Sequence, residues 1–364
     1  MGKNLSALGF MSGTSGDGVD TSIISSNGKD IIDIKYNRFD PYPTSLSNKI
    51  HRLKEKISEM QDLLKYSSDI YELETQITNF HGDIANKVSK KIEYELIGFH
   101  GHTIYHNSDE KVSKQIGHGS DLSKITKKTV VYNFRQEDIK NGGEGAPLSP
   151  IYHLALIKEL FNENKVNIPI SILNIGGIAN ITQIDKAFKI NSSDIGPGNC
   201  LIDMWVRKNS DKLFDEDGNF AMKGTTDKFI FDQYLDNFYY SKVNSKRSLD
   251  TNDFDISFAK GLSLENGAAT ITELTSELLS KKIGTNDIYV CGGGRKNKSL
   301  MNSLKKKIKN NIFSIDDLNI NGDYIESQAF AFLAIRSYLA LPISFPSTTN
   351  CKEPSNGGTI IKNY

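Results

Sequence analysis

Three glycine-rich stretches hold most of the residues with the means to do chemistry. The first, Gly9–Asp20, reads Gly-Phe-Met-Ser-Gly-Thr-Ser-Gly-Asp-Gly-Val-Asp. Glycine permits positive φ and close backbone approach, and successive exposed N–H groups in such a turn form a nest for an anion. Gly13, Gly16 and Gly18 supply the turn, and Thr14 and Ser15 add hydroxyl donors. Asp17 and Asp20 are of the type that holds a magnesium ion, directly or through water. An ordinary hairpin rich in turn residues would carry the same letters. The second stretch, Ser193–Asn199, contains Asp194, Gly196 and Gly198 and precedes an apolar helical pattern. Anions are favoured at a helix N-terminus, although simple capping by Asp194 or Asn199 is an equally physical use of these residues. The third, Cys291-Gly292-Gly293-Gly294-Arg295, lies between a strand pattern and a helix pattern. There, consecutive glycines let a flat ring lie against the backbone. None of the three is a P-loop or a GxGxxG fingerprint, because the Lys-Ser/Thr ending and the spacing are absent.

These turns need strands and helices to aim them. Leu5–Met11, Val19–Ser25 and Ile31–Arg38 read as a strand group, followed by helical patterns over Ser45–Leu64 and Ile70–Tyr94. Leu96–His100 and Thr129–Phe134 are short strands. The second half repeats the plan: Ile170–Ile175 is a strand, Gly176-Gly177 makes a turn, and Ala179–Ile184 and Phe188–Ile190 read as its hairpin partners. Helical patterns follow at Cys200–Arg207, Lys228–Phe238, Leu262–Leu279, Ser299–Lys309 and Ser327–Leu339, with a strand at Ile288–Cys291. Each half thus opens with antiparallel strands that end near a glycine turn, and helices follow. The polar stretch Ser210–Asp255 carries no assignable motif.

Bulk composition excludes several classes. A chain of 364 residues with 38 % hydrophobic content has room for two cores. Lys plus Arg equal Asp plus Glu at 44 each, so no basic excess tracks a nucleic-acid backbone. Lys305-Lys306-Lys307 reads as a solvated helix face. Cys200, Cys291 and Cys351 are scattered and odd in number, against zinc and disulfide frameworks and in keeping with a reducing cytoplasm. No run approaches the roughly 20 apolar residues of a membrane span, and no secretory signal is apparent. Met1-Gly2 with Ser6 fits the loose myristoylation pattern, but Leu5 already begins an apolar strand and no second anchor follows. His100, His102, His106, His118 and His153 include no HExxH spacing and read as polar cleft contacts, not metal ligands.

Two loop elements for phosphates and a glycine turn for the adenosine form the pattern of the actin, hexokinase and sugar-kinase superfamily. The resemblance is closer than that. Met11-Ser12-Gly13-Thr14-Ser15-x-Asp17-Gly18-Val19-Asp20 is similar to the opening signature of the anhydro-N-acetylmuramic acid kinase family. Further blocks like those of the family follow in order: His100-Gly101-His102-Thr103, Gln115-Ile116-Gly117, Phe134-Arg135 with Asp138, and Gly142-Gly143-x-Gly145-Ala146-Pro147-Leu148. The second half adds Leu173-Asn174-Ile175-Gly176-Gly177-Ile178-Ala179-Asn180, Asp194-Ile195-Gly196-Pro197-Gly198-Asn199, Cys291-Gly292-Gly293-Gly294 and Glu326-Ser327-Gln328-Ala329-Phe330-Ala331. Together they span the chain. Gly16, His102, His118 and Asn133 depart from the usual family pattern; the last three bear on the sugar side, not on the phosphates.

The resemblance implies an α/β, two-lobed actin/hexokinase-like fold of ribonuclease-H-like lobes with an interlobe active-site cleft. The expected lobes are residues 1–130, joined by the tail 345–364, and 131–344. It also implies ATP and Mg²⁺ as cofactors, an anhydrosugar substrate, a cytoplasmic setting, a homodimer, and no nucleic-acid or membrane partner. The implied reaction adds water at C1 of 1,6-anhydro-N-acetylmuramic acid while the released O6 takes the γ-phosphoryl group, in peptidoglycan recycling. Such a reaction needs a base for the water, and Asp194 is the expected one, ionised at neutral pH because an ordinary Asp has a pKa of about 3.9. Gly13, Thr14, Ser15, Gly16, Asp17, Gly18, Val19, Asp20, Gly196, Gly198, Gly292, Gly293 and Gly294 are the expected ATP contacts, with Asp17 on the metal. Thr103, Arg135 and Glu326 are the expected sugar contacts; helix-dipole stabilisation is the alternative for Glu326. Other readings are a kinase for a simpler anhydrosugar such as levoglucosan, an actin-like ATPase with no sugar acceptor, and a plain glycosidase using Asp194 and Glu326. The three glycine turns argue against the last.

Overall fold

The computed structural model describes residues 4–240, 248–284, 286–309 and 311–364. Among these, the strands in chain order are β1 Leu5–Ser12, β2 Gly18–Ser26, β3 Ile32–Pro41, β4 Leu96–Asn107, β5 Val112–Ile116, β6 Thr129–Tyr132, β7 Ile170–Ile175, β8 Ile178–Ile184, β9 Ile190–Pro197, β10 Asp287–Cys291, β11 Ile312–Ser314 and β12 Thr359–Ile361. They form two sheets. The first has the order β12-β6-β4-β1-β2-β3, with β5 also paired to β4. Its β1, β2 and β3 are antiparallel neighbours, β4 is parallel to β1, and β6 is parallel to β4. The second has the order β11-β10-β7-β8-β9, with β7 and β8 antiparallel and β10 and β11 added in parallel. Both sheets therefore run third-second-first-fourth-fifth strand, the ribonuclease-H-like order expected from the repeated plan of the two halves.

The chain divides into two compact units. One comprises Met1–Ile168, Ala187–Asn191 and Tyr324–Tyr364, and the other Pro169–Lys186 and Ser192–Asp323. The first unit thus runs past residue 130 and takes in more than the tail 345–364. The physical reason is packing: helices Phe134–Lys140 and Pro150–Asn162 lie against β5 and β3, and helix Ile325–Tyr338 lies on β1, β2, β4 and β6.

Within the first unit, Leu46, Ile50 and Leu53 line one face of helix Thr44–Lys56, and Ile70, Leu73, Ile77, Ile84 and Val88 line one face of Ser67–Ser89. These stripes recur at helical spacing and share a core with Leu8, Phe10, Ile23, Ile97 and Phe99 of the sheet. The first helical pattern is broken where the sequence predicts continuity. Ile57 is extended, and the Asp62 carboxylate accepts from the Ser58 and Glu59 N–H groups, starting a separate short helix Met60–Lys65.

On the other side of the first sheet, helix Ile325–Tyr338 is buried almost all round. Its approach depends on missing side chains. A Cβ on Gly9 would lie 2.0 Å from the Ser327 carbonyl oxygen, and one on Gly98 would lie 2.1 Å from that of Phe330. Small residues Ala329, Ala331 and Ala334 complete the close contact of helix and sheet. In the second unit, Leu173, Ile175, Ile181, Ile288, Val290, Leu300 and Leu304 form one core, and Trp205, Ile271, Leu274 and Phe254 belong to another. The unassigned stretch Ser210–Asp255 supplies Ala221, Phe238, Leu249 and Phe254 to the second of these, while residues 241–247 lie outside the described part. No helix among the described residues is long and apolar enough to cross a membrane.

Candidate active site

The first glycine stretch is the connection between β1 and β2. Gly16 donates to the Gly13 carbonyl at 3.1 Å, closing a tight turn, and Gly16 itself has φ +61°. Thr14, Ser15 and Asp17 are exposed on it, and Ser15 Oγ donates to Asp17 Oδ1 at 2.6 Å. The turn is anchored from behind, where Ser47 Oγ donates to the Gly16 carbonyl at 2.7 Å and the Tyr42 N–H to the Asp17 carbonyl at 2.9 Å. Val19 and Asp20 sit differently from their neighbours. Both are within β2, Val19 is fully buried in the core, and Asp20 pairs across the ladder with Met11. The Val19 side chain is therefore a packing residue.

Below this turn lies a polar chain. Tyr42 OH donates to Ser12 Oγ at 3.0 Å, and Ser12 Oγ is 2.9 Å from His102 Nδ1. His102 is wholly buried, and that burial, then the proximity of Lys54 and His51, lowers its pKa to about 3. It is a neutral hydrogen-bonding group and no charge carrier.

The second stretch is not the loop that its sequence suggests. β9 runs Ile190–Pro197, so Asp194 and Gly196 are on a strand, and only Gly198 and Asn199 turn into helix Cys200–Asn209. The expected strand Phe188–Ile190 is likewise displaced: Phe188 has φ +58° and belongs to the turn ahead of β9. Two facts account for the shift. The alternating burial of β9 is carried by Ser192 and Asp194, polar residues that a hydrophobicity pattern passes over. Their buried polar atoms are satisfied individually: Ser192 Oγ donates to the Ile181 carbonyl at 2.7 Å, and Asp194 Oδ2 accepts the Leu249 N–H at 2.8 Å. The helix is not capped by a side chain at Asn199, and Asp194 is too far up the strand to cap it, so neither capping use holds.

The Asn199 turn is sewn to the turn between β7 and β8. Gly198 and Cys200 donate to the Gly177 carbonyl at 2.9 and 3.1 Å, and Asn199 donates to that of Gly176 at 2.8 Å. The third stretch joins the same cluster. Gly292 has φ +78°, and a Cβ there would lie 2.4 Å from Asn174 Oδ1. A Cβ on Gly294 would lie 2.2 Å from Ile175 Cγ2. Gly293 is exposed at the apex, with Asn199 Nδ2 the nearest group at 3.8 Å from its notional Cβ. Gly196, Gly198 and Gly292–Gly294 are therefore brought together at the carboxyl ends of β7, β9 and β10, where ligands of open α/β sheets bind. Arg295 locks the third turn through Asp316 (2.7 Å) and Asp323 (2.6 Å). Burial opposes ionisation of Asp316, yet the hydrogen bonds from Arg295 and the Gly322 N–H outweigh it and hold Asp316 at about 2.

The expected sugar contacts lie in the first unit. Thr103 Oγ1, on β4, accepts from Gln115 Nε2 at 3.2 Å. Arg135 begins helix Phe134–Lys140, where Nε donates to His100 Nε2 at 2.9 Å and Nη1 to the Gly145 carbonyl at 3.0 Å. Glu326 is half-buried in the first turn of helix Ile325–Tyr338, one turn before Phe330, whose ring lies 4.5 Å from that of His100. Sequence reasoning left Asn174 and Asp138 without a role, read His100 only as a polar cleft contact and offered Asn199 only as a cap. Asn174, Asn199 and His100 stand within two residues of a glycine, which is the one signal the sequence offered; Asp138 does not.

For a magnesium ion, Asp17 offers an exposed carboxylate at the phosphate-type turn. No group of three or more His, Cys, Asp or Glu able to hold a metal occurs among the described residues. One carboxylate with water and phosphate oxygens is a normal magnesium environment, so Asp17 fits the ion.

Comparison with known proteins follows the same lines. The family model "Anhydro-N-acetylmuramic acid kinase" matches residues 6–363. Anhydro-N-acetylmuramic acid kinase of Pelagibacter ubique is 47 % identical, with 100 % of both chains covered. Those of Zymomonas mobilis and Agrobacterium fabrum are 38 % and 32 % identical, covering 97 % and 100 % of this chain and 99 % and 100 % of their own. Among solved structures, component A of (R)-2-hydroxyglutaryl-CoA dehydratase from Acidaminococcus fermentans is 14 % identical, with a TM-score of 0.45 and coverage of 92 % of this chain and 99 % of that one. With a family match from Ser6 to Asn363 and relatives matched over their full length, this chain belongs to the anhydro-N-acetylmuramic acid kinase family of phosphotransferases.

Proposed function

We propose that the protein uses ATP and water to convert 1,6-anhydro-N-acetylmuramic acid into N-acetylmuramic acid 6-phosphate and ADP, as a step in peptidoglycan recycling in the cytoplasm. The observation that carries this reading is the buried carboxylate of Asp194, held by the Leu249 N–H on the strand that leads into the Gly198 turn. On an ordinary acceptor such a carboxylate would serve the sugar hydroxyl; with O6 locked in an ether to C1, it serves the water that opens the ring.

In the proposed reaction, Asp194 takes a proton from water as the water oxygen bonds to C1. The C1–O6 bond breaks, and the electron pair left on O6 attacks the γ-phosphorus, displacing ADP. No separate acid is needed, because the phosphoryl group arrives on O6 where a proton would otherwise go. Backbone N–H groups of the Gly13–Gly18 turn and of Gly196–Gly198 bind the phosphates, and Gly292–Gly294 present a flat surface to the adenosine. Asp17 would hold Mg²⁺, directly or through water, and the ion would neutralise phosphate charge. Arg135, Glu326 and Thr103 hold the sugar, the guanidinium matching its lactyl carboxylate in a fork. The active species is a homodimer.

The test is sugar-dependent ADP release, followed by mass spectrometry of product made in heavy-oxygen water and read before anomeric exchange. One solvent oxygen at C1 is expected. ADP release without added sugar favours an actin-like ATPase, and a phosphorylated product without the label means simple hydroxyl phosphorylation.

A further inference from the structure

We infer that His100 and Asp138 are positioning residues that jointly set the plane of the Arg135 guanidinium; the inference rests on the reading of Arg135 as a sugar contact. His100 lies on β4, 5 % exposed. Its Nδ1 is 2.8 Å from the Gly101 carbonyl oxygen, which only accepts, so Nδ1 carries the hydrogen. Its Nε2 is 2.9 Å from Arg135 Nε, which only donates, so Nε2 presents a lone pair. Both partners dictate a single neutral tautomer. Burial, then the Arg135 charge, lower the His100 pKa well below its ordinary value, in agreement with that assignment. The ring is also held against Phe330, with centroids 4.5 Å apart.

The second support comes from the glycine loop after helix Phe134–Lys140, a sequence block to which the reaction assigns no direct role. Asp138, fully buried, accepts the Gly145 N–H on Oδ2 at 2.8 Å and the Thr349 hydroxyl on Oδ1 at 2.7 Å. Its own carbonyl accepts the Gly143 N–H at 2.9 Å. The loop wraps so closely that a Cβ on Gly143 would lie 2.1 Å from Asp138 Oδ2. Wrapped in this way, Gly145 gives its N–H to Asp138 and accepts Arg135 Nη1 on its carbonyl, which belongs to the next peptide, at 3.0 Å. One residue thus links a buried carboxylate to the guanidinium through the two peptides that flank it. His100 fixes Nε and the Asp138 loop fixes Nη1, two points that define the orientation of a planar group. The cost of immobilising a long side chain is met in the folded protein, before the sugar binds.

The experiment is a set of mutant cycles on the full chain. kcat and KM for anhydrosugar and for ATP are measured for Arg135→Ala, His100→Phe, His100→Gln and Asp138→Asn, and for each of the last three combined with Arg135→Ala. His100→Phe keeps a ring and loses the acceptor, and a lost hydrogen bond to a charged group predicts a fall of roughly 10- to 100-fold in kcat/KM for the sugar. KM for ATP stays near its starting value. His100→Gln, whose amide oxygen accepts from Nε, recovers most of the loss. In the Arg135→Ala background neither His100→Phe nor Asp138→Asn costs anything further. Additive losses overturn the inference, because the residues would then act independently of Arg135. A large effect of Arg135→Ala with near-normal His100→Phe and Asp138→Asn overturns it while leaving Arg135 as a sugar contact. Normal sugar kinetics for Arg135→Ala removes that contact and the inference with it. If Asp138→Asn fails to fold, the His100 cycle decides alone.

Discussion

Replacing Asp194 by Asn separates chemistry from structure more cleanly than any other single change. The carboxylate is 5 % exposed, and one oxygen accepts the Leu249 N–H at 2.8 Å. Asn is nearly isosteric and keeps an oxygen for that bond. Its amide orients oxygen-inward, since the opposite orientation would face two donors and leave the Leu249 N–H unpaired at about 1–3 kcal/mol. The structural change is then a charge-assisted bond, worth about 1.5–3 kcal/mol, exchanged for a neutral one of about 0.5–1.5 kcal/mol, a loss of about 1 kcal/mol. For a chain of 364 residues that corresponds to a melting point lower by about 1–2 °C. The kinetic change is much larger. An amide does not accept the proton of water, and loss of a general base costs about 10²–10⁴ in rate. In the proposed reaction C1–O6 cleavage and phosphoryl transfer are coupled, so no uncoupled path would rescue product formation. Both quantities are read from one preparation, by ADP release at saturating substrates and by a melting curve with and without ATP. The expected result is a folded, nucleotide-binding, inactive protein. A kcat within an order of magnitude of wild type, together with the lower melting point, would refute the role of Asp194 as base.

Two further predictions concern the scaffold. His81, His102 and His153 are fully buried, and burial lowers their pKa values to about 4, 3 and 3, below the 6.5 of an unfolded histidine. The unfolded chain therefore takes up protons first as pH falls, so their contribution is intact above about pH 6.5 and is lost at about 1.4 kcal/mol per histidine per pH unit below it, until the folded values are reached. Urea midpoints should be level near pH 7.5 and drop steeply between pH 6.5 and 5; a level profile across that window contradicts the burial of these rings in neutral form. Gly9→Ala places a Cβ 2.0 Å from a backbone oxygen and 2.5 Å from a backbone nitrogen of helix Ile325–Tyr338, neither of which moves without the helix. It should yield insoluble or non-cooperatively unfolding protein, whereas a melting curve like that of wild type would mean that the helix does not pack on β1 as described.

Much of this protein is written locally. Apolar runs marked β1, β2, β7 and β10, glycines marked the turns after them, and the repetition of strands then helices in both halves marked the doubled topology. Those features survive because each depends on residues adjacent in sequence: period-two burial, turn geometry and helical stripes are short-range properties. The family blocks also lie along the chain and so pointed to Asp194, Arg135 and the glycine turns by number.

What adjacency does not encode is who stands beside whom. β9 was misplaced because its buried positions include Ser192 and Asp194, which are tolerable inside only through bonds to Ile181 and Leu249, residues distant in sequence. Val19 lies inside a chemical-looking turn sequence and is a core residue, since strand register sends its side chain inward. The unit boundary fell past residue 130 because helix Pro150–Asn162 and helix Ile325–Tyr338 pack together through Tyr152 and Gln328, whose side chains bond at 2.7 Å. His100 and Asp138 acquire meaning only when the fold brings His100 to Arg135 Nε and, through the Gly145 carbonyl, the Asp138 loop to Nη1. Sequence determines which residues can turn, pair or ionise; the tertiary structure determines which of them must satisfy one another, because a buried polar atom takes its partner from whatever the fold brings within about 3 Å.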